Sequence, residues 1–262
     1  MDYVFPVWLF VIGLAFGSFL NVCIYRLPRG KSLVRPPSSC THCGSEIRYR
    51  DNIPLVSYII LKGRCRDCKN PISIRYPLVE LFSGLAAVLA WWWFGTTVLG
   101  VSAVLLIYIL IPVIFIDIEF QIIPNSIIIF GLGAGITLIV AELTVGGYRS
   151  WSDAVLGGII GAGILVFSAL LGRLLFHKPS MGMGDIKLAA VLGLFLGIQN
   201  IIVSIFLSFV YALVIGGGLM IVRGNRPAGV ISFGPYLALG SLTGLFFGDI
   251  ITYYYYVWIG IL

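Results

Sequence analysis

The feature that most constrains this chain is a series of continuous apolar runs, most of them long enough to cross a bilayer. A spanning helix needs about 20 apolar residues. Because the runs are continuous and show no strict alternation, they predict helices and not the strands of a membrane barrel. We therefore expect an all-α integral membrane protein with about eight transmembrane helices. The predicted spans are Phe5–Tyr25, Leu78–Phe94, Val98–Ile116, Ser126–Leu143, Ala154–Phe176, Ile186–Gly197, Ile201–Val222 and Ser232–Ile250.

Composition supports the same class. The chain is 59% hydrophobic and only 11% charged, whereas a soluble domain carries roughly 25% charged residues. The sixth run is short, and the last can extend toward Leu262, so we expect one final helix with an interfacial end. Asp2 stands where a signal peptide has basic residues, so we expect the first run to be retained as a helix.

The basic residues are concentrated in one place and predict the orientation. Eleven of the 17 Lys and Arg lie between Arg26 and Arg75, so they form one basic loop and not a basic face for nucleic acid. With the N-terminus outside, the inside loops hold 16 basic residues and the outside loops hold only Arg149. By the positive-inside rule, both chain ends are expected outside. The tryptophans fall near the predicted outer ends, which agrees.

The long basic loop predicts a separate domain. We divide the chain into a first transmembrane helix (1–25), a small cytoplasmic zinc-binding domain that resembles a zinc ribbon (26–77) and a polytopic membrane core (78–262). The loop contains two CxxC pairs, Cys40 with Cys43 and Cys65 with Cys68, and 21 residues lie between the pairs. Two such pairs can close a tetrahedral site of four sulfurs, which is typical of structural zinc.

The cysteine pattern has alternatives to a zinc site with four sulfur ligands. The cysteines could form two disulfides, which a reducing cytoplasmic side disfavours. His42 could replace one cysteine as a ligand, although four cysteines suffice. Cys23 lies in the first apolar run and is expected to fill space there.

Other polar residues in the apolar runs have structural interpretations. Asn21 is expected to form an interhelical hydrogen bond, with close packing allowed by Gly17 and Ser18. Glu80 either pairs with a loop arginine or faces a site. The glycine clusters at 131–135 and 157–163 resemble nucleotide-binding loops, but no strand precedes them, so helix packing is expected.

Two acids stand out at ends of apolar runs. Asp117 closes the third predicted span, and Asp185 opens the sixth after Gly182 and Gly184. The predicted orientation places both on the inner side. Two close carboxylates share a proton, so one can activate water while the other donates a proton to a peptide carbonyl. From the residues alone, a proton-coupled transporter or another non-proteolytic membrane protein remains an alternative.

The chain resembles a known family over nearly its whole length. The Gly182–Asp185 motif, with an earlier Asp on another helix, is similar to the GxGD aspartic membrane peptidases, which include presenilin. Further segments look like bacterial type IV prepilin peptidases and occur in that family's order. They are Gly17–Val22, the two CxxC pairs, Asn52–Tyr58, Arg75–Leu81, Ile116-Asp117 with Pro124, Gly182–Lys187 and Phe233–Leu237.

The resemblance implies an activity. Asp117 and Asp185 match the family's catalytic aspartates, while Glu119 and Asn125 occupy positions where relatives often carry further acids. The resemblance also implies the reaction, which is removal of a short basic leader from type IV prepilins or pseudopilins at the inner face of the bacterial inner membrane. Many members then N-methylate the new terminus with S-adenosylmethionine. Gly182, Gly184 and Glu80 are candidate substrate-binding residues, and no nucleic-acid partner is expected.

Overall fold

The structure is a computed structural model that describes residues 4–145, 150–177, 181–222 and 232–261. The described residues are almost entirely helical. The exceptions are connecting segments and two isolated β-bridges, which pair Ser39 with Glu46 and Arg64 with Pro71. The predicted all-α class is confirmed. The helices are α1 (Val4–Arg26), α2 (Val56–Ile60), α3 (Arg75–Phe94), α4 (Val98–Phe120), α5 (Asn125–Val145), α6 (Trp151–Phe176), α7 (Met183–Tyr211), α8 (Gly217–Val222) and α9 (Gly234–Trp258).

Short turns of other helix types extend this pattern. Two 3-10 turns, Leu27–Arg29 and Tyr49–Asp51, lie in the segment between α1 and α2. A π-helical segment, Ala212–Gly216, joins α7 to α8. Within the described ranges, seven helical segments are long and apolar enough to span a membrane. The chain is therefore an integral membrane protein, as predicted.

The difference between seven long helices and about eight predicted spans lies at Gly197. A methyl group built on Gly161 of α6 would lie 2.7 Å from the Ala189 carbonyl oxygen and 2.9 Å from Cγ1 of Ile201. Residues 12 positions apart in a straight helix are about 18 Å apart. The chain must therefore reverse direction between Ala189 and Ile201, and α7 consists of two antiparallel halves.

The reversal depends on a backbone shape that glycine adopts readily. Gly197 has φ 75° and ψ 179°, a region that is essentially restricted to glycine. The half of α7 before Gly197 is only about 21 Å long, which explains the short sixth apolar run. After the break, the N–H of Ile198 donates to Oδ1 of Asp153 over 3.1 Å. Asp153 thus caps the second half of α7.

The chain divides into two compact units, Met1–Pro112 and Val113–Leu262. In the first unit, α1 packs closely on α3. A methyl group on Gly13 would lie 2.7 Å from Cα of Gly84, and one on Gly17 would lie 2.6 Å from Cα of Glu80. Asn21 Nδ2 donates to the Tyr76 carbonyl over 3.0 Å. This confirms the predicted interhelical hydrogen bond of Asn21.

In the second unit, small residues allow α7 to pack on both α6 and α9. On α6, methyl groups built on Gly157 and Gly158 would meet backbone atoms of α7, which confirms helix packing for that cluster. On α9, three glycines spaced four residues apart face polar residues of the second half of α7. These pairs are Gly240 with Ser208, Gly244 with Ser204 and Gly248 with Asn200. These contacts hold α9 against the second half of α7.

Candidate active site and metal centre

Asp117 lies in the last turn of α4 and is buried, with 5% of its surface exposed. A buried carboxylate at a membrane boundary needs hydrogen-bond donors. One donor comes from α9, where the N–H of Gly234 donates to Oδ2 of Asp117 over 2.9 Å. Asp117 is therefore held by a residue that lies 117 positions away in the sequence.

The start of α9 explains why the donor is available. The first backbone N–H groups of a helix have no partner within the helix. Phe233 stands at the N-cap, where its side chain makes no capping hydrogen bond, and the proline beside Gly234 has no N–H to offer. The Asp117 carboxylate thus occupies the place of a capping side chain. The positive end of the α9 dipole also favours a negative charge there.

Glycine is needed at position 234 for space. A methyl group built on Gly234 would lie 2.5 Å from Oδ2 of Asp117 and 3.1 Å from its Cγ. Any larger residue would displace the carboxylate or the start of α9.

Asp185 lies in the first turn of α7 and is 9% exposed. Its N–H donates to the carbonyl of Gly182 over 3.2 Å, and its carboxylate interacts with the backbone N–H of Gly182. The contact from the Asp185 carboxylate to the N-cap N–H corresponds to one half of a capping box, because Gly182 has no side chain for the other half. A methyl group on Gly182 would lie 3.1 Å from Oδ2 of Asp185, so the glycine lets the backbone approach the carboxylate.

The connection between α4 and α5 packs against the start of α7. A methyl group on Gly184 would lie 3.2 Å from Cβ of Ile123, and Lys187 Nζ donates to Oδ1 of Asn125 over 3.0 Å. These contacts tie the segment after Asp117 to the segment around Asp185. The two carboxylates come close enough to interact electrostatically. Glu119 is exposed at the end of α4.

The four loop cysteines form the second notable cluster. The Sγ atoms of Cys40, Cys43, Cys65 and Cys68 all lie within 4.8 Å of one another. Sγ of Cys40 lies 3.8 Å from Sγ of Cys68. Sulfurs placed about 2.3 Å from a tetrahedral zinc ion are themselves about 3.8 Å apart. The chain has five cysteines, all described and all free, so the structure favours a metal site over two disulfides.

Two equivalent turns present these sulfurs. In the first turn, the Cys40 N–H donates to Ser45 O and the Gly44 N–H donates to Cys40 O, each over 2.9 Å. In the second, the Cys65 N–H donates to Asn70 O over 2.9 Å and the Lys69 N–H to Cys65 O over 3.1 Å. Gly44 and Lys69 occupy matching positions with φ 72° and 60°. The loop therefore contains a structural repeat with one cysteine pair in each half.

Hydrogen bonds around the cluster favour the thiolate form of two of these cysteines. A hydrogen bond with the Ser45 hydroxyl lowers the pKa of Cys43 to about 6. Backbone N–H groups of Cys68 and Asp67 lower the pKa of Cys65. The pKa of Cys68 is raised to about 11 despite the Asn70 N–H, because desolvation and the other sulfurs oppose a further charge. Four thiolates this close would repel one another, so a bound cation would be needed for all four to ionise, and the thiolate is the metal-binding form.

Other candidates near the metal loop have different roles. His42 is exposed and lies outside the sulfur cluster. Cys23 is buried in α1, as expected of a filler. Glu80, 9% exposed, accepts a hydrogen bond from the Leu55 N–H over 2.9 Å. Among the described residues, the partners of Glu80 are thus a backbone N–H of the loop and the Ser18 hydroxyl, and not a loop arginine.

The sequence of this chain matches two family profiles. Residues 11–94 match the profile of the bacterial peptidase A24 N-terminal domain, and residues 104–217 match the profile of the type IV leader peptidase family. The chain belongs to the type IV leader peptidase family. As a member of this family it is an enzyme, and the resemblance stated from its motifs is confirmed.

Individual relatives cover nearly the whole chain. The prepilin leader peptidase/N-methyltransferase of Aeromonas hydrophila is 36% identical over 94% of this chain and 92% of its own length. The protein of the same name in Pseudomonas putida is 35% identical over 91% of this chain and 89% of its own. That of Neisseria gonorrhoeae is 35% identical over 88% and 86%, respectively. No solved structure matches the chain.

One residue of this leader peptidase was not singled out by itself from the sequence. Gly234 was noted only as part of the segment Phe233–Leu237, without a role. Its contact with Asp117 joins the ends of two helices that are far apart in the chain. The only available sign was an apolar N-cap residue followed by Gly-Pro, which leaves the start of α9 without a capping side chain of its own.

Proposed function

We propose that this leader peptidase is a membrane aspartic endopeptidase that removes the short basic leader from type IV prepilins or pseudopilins. The observation that carries the proposal is the pair of buried acids, Asp117 and Asp185, within the part of the chain that matches the family profile. Both acids lie at helix ends, where an extended peptide can approach.

The proposed chemistry uses the two carboxylates as one unit. Two close carboxylates share a proton, so their titration belongs to the pair. The ionised member takes a proton from water, which attacks the carbonyl carbon of the scissile peptide bond. The protonated member donates its proton to the carbonyl oxygen, which gives a gem-diol. When the C–N bond breaks, the leaving amine receives the proton that the first carboxylate took from water, and the gem-diol returns a proton to the second carboxylate. No covalent intermediate is needed.

Gly182 and Gly184 are proposed to bind the substrate backbone. Gly182 is exposed beside Asp185 and has an extended backbone with φ −76° and ψ 144°. Without a side chain at this position, a substrate strand can lie close to the carboxylate. The glycines would then serve both the packing of Asp185 and access to it.

We propose that cleavage occurs at the cytoplasmic face of the bacterial inner membrane, with both chain ends outside. The support is the distribution of Lys and Arg, of which 16 fall in predicted inside loops. Four of the counted residues, Arg149, Lys178, Arg223 and Arg226, lie outside the described residues.

The ion bound by the four cysteines is proposed to be zinc with a structural role. The donor set and the sulfur spacing fit a tetrahedral zinc ion. About 50 residues make a small hydrophobic core, so metal binding would supply much of the folding free energy of this loop. No step of peptide hydrolysis involves this ion.

We further propose that the new N-terminus is methylated, as the names of the relatives indicate for those proteins. S-adenosylmethionine, when bound, supplies the methyl group. A cavity of about 1400 Å³ in the first unit can accommodate such a ligand, and its lining includes Asn21, Tyr25 and Glu80. The lining holds four acidic residues and seven Lys or Arg residues. Among the acids, the charge of Glu80 suits a cationic methyl donor or a cationic acceptor.

The experiment that tests the proposal is cleavage of a prepilin by the purified protein in liposomes. The product is identified by mass spectrometry of its new N-terminus. We expect wild-type protein to release the leader and the double variant Asp117→Asn, Asp185→Asn to release none. Equal cleavage by both proteins would show that the two aspartates are not the catalytic groups, whereas no cleavage by either protein would favour the transporter alternative.

A further inference from the structure

We propose that the cavity of the first unit contains a binding site for a primary ammonium group, formed by Glu80 of α3 and Asn21 of α1. The ligand we assign is the α-amino group of the pilin after its leader has been removed. This inference rests on the proposed function, because cleavage is the reaction that creates this amino group. It adds a recognition site that is separate from the two aspartates.

The first observation is the way in which Glu80 is held. Its Oε2 accepts the N–H of Leu55 over 2.9 Å, and its carboxylate also interacts with the Ser18 hydroxyl. Both partners are neutral. Within the described part of the chain, no Lys or Arg forms an ion pair with Glu80, so its negative charge can interact with a cationic ligand.

The backbone is strained at Leu55, the residue whose N–H donates to Glu80. Leu55 has φ 59° and ψ −48°, and the Val56 N–H donates to Pro54 O over 2.6 Å. This is a γ-turn with positive φ, a rare and strained turn. Such strain tends to occur at functional sites, where surrounding contacts maintain it. Here the strained turn directs a backbone N–H at the carboxylate.

The second, independent observation is an unpaired acceptor on the facing helix. Asn21 is 3% exposed, and its Nδ2 donates to carbonyl oxygens of Tyr76 and Gly17. Its Oδ1 is buried and has no hydrogen-bond partner among the described residues. A buried acceptor without a partner is unfavourable, because it has lost its hydrogen bonds to water and gained none in return. A ligand that donates a hydrogen bond to Oδ1 would recover that free energy.

Asn21 and Glu80 lie one helical turn apart at the α1–α3 interface. Gly17, one turn before Asn21, packs on Cα of Glu80, while Asn21 bonds to Tyr76, one turn before Glu80. Both residues line the same cavity. The site therefore offers a carboxylate and a carbonyl oxygen, both of which accept hydrogen bonds. A primary ammonium, with a positive charge and three donors, is the complementary group.

Arg26, one of the seven Lys and Arg residues in the lining of this cavity, does not compete for this role. Its guanidinium donates to backbone carbonyls of Ser32 and Pro36 over 2.8 Å and 2.7 Å, respectively. Arg26 is thus engaged in holding the loop and lies 8% exposed. Glu80 remains available to the ligand.

The test uses two forms of one peptide, the N-terminal segment of the processed pilin with a free or an acetylated α-amino group. Binding to the purified wild-type protein with its zinc in place is measured by calorimetry. Because acetylation removes both the charge and two donors, we expect at least about 10-fold weaker binding of the acetylated peptide. Equal affinity of the two peptides would overturn the proposal without relying on any variant.

A variant assigns the effect to Glu80. In Glu80→Gln the amide oxygen still accepts from Leu55, but the negative charge is lost. We expect its affinity for the free peptide to fall to that for the acetylated form. Glu142→Gln, which makes the same change on α5, should bind like wild type. Zinc content and thermal unfolding verify that Glu80→Gln is folded.

Two further readouts separate the possible outcomes. S-adenosylmethionine also carries a primary ammonium, so its binding to wild type and Glu80→Gln is measured in parallel. Weaker binding of S-adenosylmethionine alone would assign the site to the methyl donor and contradict the pilin assignment. Wild-type cleavage of prepilin is assayed separately. Its absence would contradict the proposed function, whereas equal binding of both peptides in an active enzyme contradicts only this inference.

Discussion

The N–H of Gly234 donates a hydrogen bond to Oδ2 of Asp117 over 2.9 Å, and this contact joins the end of α4 to the start of α9. It satisfies a helix N–H that has no partner within α9. It also holds one carboxylate oxygen in place. The start of α9 thereby positions Asp117, one of the two aspartates proposed to be catalytic.

The first prediction follows from the space at Gly234. In Gly234→Ala, the added methyl group would lie 2.5 Å from Oδ2 of Asp117, so the carboxylate must move. Small displacement of a catalytic group can reduce the rate by roughly 100-fold. We expect kcat for leader cleavage to fall by about this factor with little change in KM, measured with prepilin in liposomes.

The matched control for this change is Gly133→Ala. Nothing lies within 4 Å of a methyl group at Gly133, so cleavage should proceed as in wild type. Wild-type kcat in Gly234→Ala would show that the contact does not position Asp117.

The second prediction concerns the cysteine cluster. Replacing any one of Cys40, Cys43, Cys65 and Cys68 by Ser removes one of four ligands. We expect the variants to lose most of the bound zinc and to unfold at lower temperature, because metal binding and folding of the loop are coupled. Metal analysis of the purified protein measures the first effect. Cys23→Ala should keep one zinc per chain, and zinc retained in all four Ser variants would contradict the assignment.

The third prediction tests the reversal in α7. Gly197→Ala places a side chain at φ 75° and into the Asp153 carboxylate. The backbone conformation alone should cost about 1–3 kcal/mol, and the contact adds to this. We expect a clearly lower unfolding temperature in detergent. Gly163 has open space around it, so Gly163→Ala should unfold at the same temperature as wild type. Equal unfolding temperatures of the two variants would contradict the reversal at Gly197.

The fourth prediction concerns orientation. Ser38→Cys lies in the basic loop, and Thr97→Cys lies between α3 and α4. With the charge distribution of this chain, Thr97→Cys should react with a membrane-impermeant maleimide in intact cells, above the background of the natural cysteines. Ser38→Cys should react only after permeabilisation. The reverse labelling pattern would place both the cysteine cluster and the aspartates on the opposite side.

Local sequence patterns predicted the elements of this protein better than the contacts between them. Continuous apolar runs predicted the helices because burial in lipid requires apolar side chains and internal hydrogen bonds over a fixed length. The CxxC spacing predicted the sulfur cluster because both pairs must converge on one ion. Asn21 was expected to bridge two helices, and it does so.

The remaining features depend on partners that are distant in the sequence. The bond between Leu55 and Glu80 spans 25 positions, and that between Gly234 and Asp117 spans 117. Neither is reflected in hydrophobic periodicity or in local capping residues. The reversal at Gly197 was predicted only as a gap between two runs, because a single glycine does not reveal its φ angle. Tertiary packing determines all three.

We infer that Asp117 and Asp185 perform peptide hydrolysis together. Prepilin cleavage by single variants of each aspartate tests this inference most directly. Asp→Asn keeps the shape of the side chain but removes its proton exchange. Asp→Glu keeps the chemistry but moves the carboxyl group, which can reduce the rate roughly 100-fold. Glu119→Gln, at the exposed end of α4, provides the matched control.

We expect cleavage to be nearly abolished in each of four variants while their expression and membrane insertion persist. The variants are Asp117→Asn, Asp117→Glu, Asp185→Asn and Asp185→Glu. Glu119→Gln should retain most activity. The readout is the size shift of prepilin in liposomes, with equal amounts of each folded variant. Cleavage at the wild-type rate by Asp117→Asn or by Asp185→Asn would contradict the claim that the two carboxylates act as a pair.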